Sequence, residues 1–145
     1  MTLQISQEIV NAILEQSRAE YPDECCGVIL GKIGSDKAQR LKPMLNAAHS
    51  PTFYEFDSKD LLALYRELDE REEEIIVIYH SHTETEAYPS RTDITYASEP
   101  GSHYVLVSTR KEIAPENEFR SYRIINGAVT EEEVVITPIG KWREL

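Results

Sequence analysis

Ile75-Ile76-Val77-Ile78-Tyr79-His80-Ser81-His82-Thr83-Glu84-Thr85-Glu86-Ala87-Tyr88-Pro89-Ser90-Arg91-Thr92-Asp93 is the stretch that decides the fold. Its first five residues form an uninterrupted apolar run, β-branched for the most part. The run is too short for a typical helix and has no polar alternation. It predicts a strand covered on both faces, the centre of a sheet. A loop is expected from His80 to Pro89, then a short helix from Ser90 to about Ser98, stopped by Glu99-Pro100-Gly101.

The same logic works outward from that strand. Upstream, Leu61, Leu64, Tyr65 and Leu68 make an apolar stripe on a helix over Ser58–Arg71, capped by Asp57 or Ser58. Residues 5–20 read as another helix, stopped by Tyr21-Pro22-Asp23. Cys25 to Lys32 reads as a buried strand and Gln39 to Leu45 as a second, joined through a turn at Gly31 to Asp36. A loop covers 46–52, with a short strand at Phe53–Phe56. Downstream, His103–Ser108 is a strand. Phe119–Ile125 and Val129–Ile136 flank Asn126-Gly127, a hairpin signal. The segment from Pro138 onward, with Trp142, is a short tail. Helices interleaved with strands and hairpins predict a mixed α/β class, one domain over 1–145 with helices packed on a single sheet.

Composition bounds the function. The 145 residues carry 26 acidic against 15 basic groups, a net charge of −11, so phosphate backbones are repelled and nucleic acid is an unfavoured partner. The acidic runs at Glu67 to Glu74 and Glu131 to Glu133 read as solvated faces. No stretch approaches the apolar length of a membrane span, and residues 1–10 lack a basic segment followed by an apolar one. Cys25 and Cys26 are adjacent, poorly placed for a mutual disulfide or a spaced zinc pair. They fit reduced thiols on a strand, and a cytoplasmic protein is expected.

The chemistry concentrates after the central run. His80 and His82 stand at i and i+2, which on an extended chain puts both imidazoles on one side. Two imidazoles and the carboxylate of Asp93 would leave the fourth tetrahedral position of a zinc ion to water. Asp93 has a second reading. Ser90-x-x-Asp93 is also a helix capping box, in which the carboxylate serves only the helix start. Spacing alone leaves both open. Such a site also needs a carboxylate that is not a ligand to move protons. Glu24, just before the Cys25 strand, is one candidate among many acids.

Together these residues resemble the JAMM (MPN+) family of zinc metalloproteases. Its signature is His-x-His-Pro, six residues, then Ser-x-x-Asp, with a glutamate upstream. His80, His82, Ser90, Asp93 and Glu24 occupy those places. The resemblance extends to Ser50–Tyr54, Tyr79–Asp93, His103–Arg110 and Gly127–Glu132, where the chain looks like the bacterial CysO-cysteine peptidase group. The resemblance implies a cytidine-deaminase-like α/β/α sandwich with a mixed sheet. It implies one zinc held by His80, His82 and Asp93, with Glu24 as general base and then acid. Ser90 would donate a hydrogen bond to the oxyanion or orient the attacking water. The implied substrate is the amide joining cysteine to the C-terminus of a small ubiquitin-like sulfur-carrier protein. A general isopeptidase acting on modified lysines, a non-enzymatic scaffold and a homodimer are the further expectations. Thr83 replaces the signature proline, which weakens the analogy to eukaryotic deubiquitinases. Nucleobase deamination, known on the same fold, needs a Pro-Cys-x-x-Cys pair that Cys25 and Cys26 cannot supply.

Overall fold

The computed structural model describes residues 1–137. Its elements are β1 (Thr2–Ser6), α1 (Gln7–Glu20), β2 (Cys26–Lys32), β3 (Arg40–Met44), α2 (Ser58–Arg71), β4 (Glu73–His82), α3 (Arg91–Tyr96), β5 (His103–Ser108), β6 (Phe119–Ile125) and β7 (Ala128–Thr137). All seven strands join one sheet in the order β1-β7-β6-β5-β4-β2-β3. The β4/β5 and β1/β7 pairs are parallel and the rest antiparallel.

β4 is the central strand that its apolar run predicts, flanked by β2 and β5. Ile76, Val77, Ile78 and Tyr79 are all buried. Alternation sends Val77 and Tyr79 to one face and Ile78 to the other, while Ile76, at a register shift against β2, joins Val77 and Tyr79. Val77 and Tyr79 pack with Val10 and Ile13 of α1, whereas Ile78 packs with Leu64 and Leu68 of α2. One helix on each face gives the α/β/α sandwich. Ser6 caps α1 and Asp57 caps α2 through side-chain acceptors. Among the described residues no helix is long and apolar enough to cross a membrane.

Four expectations change. The N-terminal helix begins at Gln7, because Thr2–Ser6 forms a strand on β7; Leu3 and Ile5 alternate inward there, a period-2 signal overlapped by the helical one. Phe53–Phe56 is no strand. It contributes a single bridge from Phe56 to Asn46. His80 and His82 belong to β4 rather than to the loop after it. The acidic runs are not wholly solvated either. Glu73 is buried against Arg40 and Arg71, and Glu132 against His103. The tail from Pro138, with Trp142, lies outside the described residues.

Gly27 on β2 faces Tyr79 so closely that a Cβ there would lie 2.3 to 2.6 Å from the hydroxyl oxygen and two ring carbons. Tyr79 is fully buried and donates its hydroxyl to Gln16 Oε1 at 2.6 Å, so the ring has little room to yield. Gly27→Ala is expected to destabilise by about 1–3 kcal/mol, as overpacked cores do. An unchanged midpoint in urea unfolding would refute this.

His103 opens β5 fully enclosed. Nδ1 lies 2.6 Å from Glu132 Oε2 and Nε2 lies 2.8 Å from Asp36 Oδ1. Burial pushes the imidazole pKa down, but the two carboxylates overcome it and the net shift is upward; burial likewise opposes the lowering of Glu132 by His103 and Ser121. A raised histidine stabilises fully below its unfolded value of 6.5 and loses that contribution as pH rises through the folded value. A lowered glutamate stabilises above its unfolded 4.5 and loses that as pH falls through the folded value. The pair therefore contributes most between those limits. The melting-temperature gap between the wild type and His103→Gln should narrow as pH rises above the histidine's unfolded value of 6.5. A constant gap would contradict the pairing.

Candidate metal centre

The centre forms where β4 ends. His80 and His82 lie on its last turn of the pleat, both buried, with rings 5.1 Å apart. Because both are strand residues, the i, i+2 rule applies strictly and the imidazoles share one face. His80 is stacked on Tyr54, with centroids 4.4 Å apart, which fixes its ring plane.

Asp93 comes from the first turn of α3. Its Oδ2 lies 3.2 Å from His80 Nε2 and 3.0 Å from His82 Nε2. The same Oδ2 accepts the Ser90 backbone N–H at 2.8 Å, while Ser90 Oγ accepts the Asp93 N–H at 3.1 Å. The cap reading holds, and it does not turn the carboxylate away from the histidines. The capping box is formed, and it is the cap that holds the carboxylate facing the histidines.

The protonation pattern tests whether a cation fits. His82 Nδ1 is 3.0 Å from the carbonyl oxygen of Glu86. A carbonyl can only accept, so Nδ1 carries a proton, and Nε2 is the nitrogen turned toward Asp93 at 3.0 Å. His80 Nε2 is buried and has no hydrogen-bond partner of acceptable geometry despite its closeness to Asp93. Two imidazole nitrogens and a carboxylate oxygen thus converge within 4.8 Å of one another. Two nitrogens with one carboxylate are a donor set that suits a divalent ion. Burial lowers the pKa of His80, keeping it neutral. His82 is raised by Asp93 and Glu86 against its own burial. Asp93, although burial opposes it, is held well below the usual carboxylate range by the two histidines.

Glu24 reaches this face through strand register. Cys26 pairs with His80 across β2 and β4. Ser81 N donates to Cys25 O at 3.1 Å, and Cys25 N donates to Ser81 Oγ at 2.8 Å. Continuing the antiparallel register puts Glu24 opposite His82, on the same side of the sheet. Glu24 is 5% exposed. Burial pushes its carboxyl up to about 8, His82 opposes the shift and Asp93 adds to it. The group is therefore able to carry a proton near neutrality.

Several supports carry no legible sequence signal. Asn46 donates to the carbonyl oxygens of Glu24 and Phe53, both at 3.0 Å, and its Oδ1 accepts from Ala48 and Glu55. It locks the loop that holds Tyr54 to the segment that holds Glu24. Thr83 Oγ1 donates to Pro51 O at 3.0 Å, so a side-chain bond steadies the position where the signature has a proline ring. Tyr88 and Arg91 beside the centre are exposed.

Residues 6–125 match the family described as prokaryotic homologs of the JAB domain. The chain is 54% identical over 132 residues to the CysO-cysteine peptidase of Mycobacterium tuberculosis (strain ATCC 25618 / H37Rv), across 91% of this chain and 89% of that one. It is 29% identical over 111 residues to the desampylase of Haloferax volcanii, across 73% and 80%. In fold it is similar to a protein from Desulfitobacterium hafniense solved in solution, with a TM-score of 0.79 and 25% identity over 95% and 94% of the two chains.

Proposed function

Because the chain belongs to the family of prokaryotic homologs of the JAB domain and is a peptidase of the JAMM type, we propose that it is zinc-dependent and releases cysteine from the C-terminus of a ubiquitin-like sulfur-carrier protein. The observation that carries the reading is the convergence of His80, His82 and Asp93, with Glu24 opposite His82. The CysO-cysteine peptidase at 54% identity supports the substrate class. The free, buried thiols of Cys25 and Cys26 support a reducing compartment.

His80, His82 and Asp93 would hold the zinc, which when bound supplies a Lewis acid that makes water nucleophilic near neutral pH. Proton movement falls to Glu24. Its carboxylate takes a proton from the attacking water and returns it to the leaving nitrogen. Ser90 Oγ already accepts the Asp93 N–H, so its own proton is free to donate to the carbonyl oxygen as negative charge grows there. Tyr54 and the Glu86 carbonyl keep the imidazoles in register for the whole cycle.

The test is to incubate zinc-loaded protein with a carrier–cysteine conjugate and follow free cysteine by mass spectrometry. Release of cysteine is expected. A protein that leaves this conjugate intact while cleaving a lysine-linked one would overturn the reading in favour of a general isopeptidase. A protein that cleaves neither would favour a scaffold.

A further inference from the structure

Residues 83–90 join His82 to the start of α3 without forming helix or strand. His82 nevertheless takes its orientation from inside this loop, where the Glu86 carbonyl oxygen lies 3.0 Å from Nδ1. Among the described residues the loop backbone bonds itself once, from Tyr88 N to Glu86 O at 2.9 Å. Resting on the zinc reading above, we propose that Tyr122 and Ser108 are positioning residues of the metal centre, whose hydroxyls hold the carbonyls on either side of Glu86 and so aim His82 Nε2 at the ion.

Ser108 closes β5 and stands opposite His82 in the parallel register with β4. It is buried, and its Oγ donates to Thr85 O at 2.7 Å. Tyr122 comes from β6, one strand further out, and is fully buried. Its hydroxyl donates to Ala87 O at 2.5 Å. The Tyr122 ring packs with Ala87 and Leu106, and Tyr88 meets it edge-on with centroids 5.4 Å apart. Thr85 and Ala87 flank Glu86 in the sequence. The peptide units before and after the acceptor carbonyl are therefore both tied to the sheet that carries His82.

A carbonyl orients a metal-ligating imidazole only as well as it is itself held. The planar peptide of Glu86 can turn only about the soft dihedrals on either side of it, and the two hydroxyl bonds pin the planes next to it. Side-chain packing supplies little of this restraint, because Glu84, Thr85 and Glu86 are exposed. Burial pushes the Tyr122 phenol up to about 12, so the group remains a donor across neutral pH. Without that hydroxyl the fully buried Ala87 would keep a carbonyl with no donor, and the loop would shift to find one.

The experiment compares Tyr122→Phe with Tyr79→Phe. Each removes one buried tyrosine hydroxyl with its hydrogen bond, the first against the loop and the second against Gln16 of α1. Zinc affinity, read by competition with a chromophoric chelator, should fall by roughly 10-fold or more in Tyr122→Phe, the scale of losing a group that orients a ligand. Ser108→Ala should fall with it, and Tyr79→Phe should bind as the wild type does. Unchanged affinity in Tyr122→Phe would overturn the proposal. So would an equal loss in Tyr79→Phe, the result expected from general loosening of the fold. The metal-free protein reads the same contrast without zinc. There the His82 Nδ1–H should give a slowly exchanging proton signal in nitrogen-15 spectra, and its exchange should quicken in Tyr122→Phe but not in Tyr79→Phe. A wild type that holds no zinc would count against the metal reading alone, and the exchange contrast would still decide whether Tyr122 positions His82.

Discussion

Glu24→Gln is expected to retain its zinc and to lose cysteine release by about 10²- to 10⁴-fold in kcat, the range contributed by a positioned general acid–base group. Glutamine has nearly the same shape, so the bonds from Glu24 N to Ser50 O and from Asn46 to Glu24 O persist. Glu24 is not one of the three converging donors, and metal content should be unaffected. What disappears is a carboxyl that burial has pushed up to about 8 and that can therefore accept and give back a proton at neutral pH. Full activity in the variant would remove Glu24 from the chemistry. Loss of activity together with loss of zinc would recast it as a ligand or a support.

Replacement of Asp93 should have a comparably large effect through the metal itself. Its Oδ2 serves both the Ser90 N–H and the two imidazoles, so the variants must separate the helix cap from the ion. Asp93→Asn leaves an amide oxygen able to accept from Ser90 N, which preserves the start of α3, but it removes the negative charge that faces two nitrogen donors. Zinc affinity is expected to fall by more than the roughly 10- to 100-fold typical of losing a supporting residue, with activity falling alongside. Ser90→Ala provides the converse, with a loss of about 1 kcal/mol from the missing cap while the three donors remain. Unchanged zinc binding in Asp93→Asn would show that the histidines hold the metal without it.

The central strand, both long helices and the Asn126-Gly127 hairpin were legible because each follows from a local period or turn chemistry. Asn126 and Gly127 take the positive φ values, 51° and 80°, that such a turn demands. β1 was hidden because Leu3 and Ile5 alternate for only five residues before the helical pattern of α1 begins. The extent of β4 was hidden for a different reason. Ser81, His80 and His82 are polar residues on a fully buried strand end, and burial there reflects Ser81 bonding β2 and the histidines facing Asp93, neither visible as a hydropathy signal. Glu73 and Glu132 looked like members of solvated runs. In β7 the period of two turns Glu132 inward to His103, while its neighbours Glu131 and Glu133 alternate to the other face. The grouping of His80, His82 and Asp93 was readable from spacing plus resemblance, but not that Asp93 faces both histidines while it keeps its bond to the Ser90 N–H. Nor could the sequence show Tyr54 against His80, since that contact crosses from a loop that has almost no regular structure.

One divalent ion among His80, His82 and Asp93 is what the proposed function requires, and X-ray absorption at the zinc edge of the loaded protein reads its ligands. The expected spectrum is one zinc per chain in a shell of nitrogen and oxygen only, with the outer scattering of two imidazoles. Sulfur in the shell, which would bring in Cys25 or Cys26, or a protein that retains no zinc at micromolar concentrations, would contradict it.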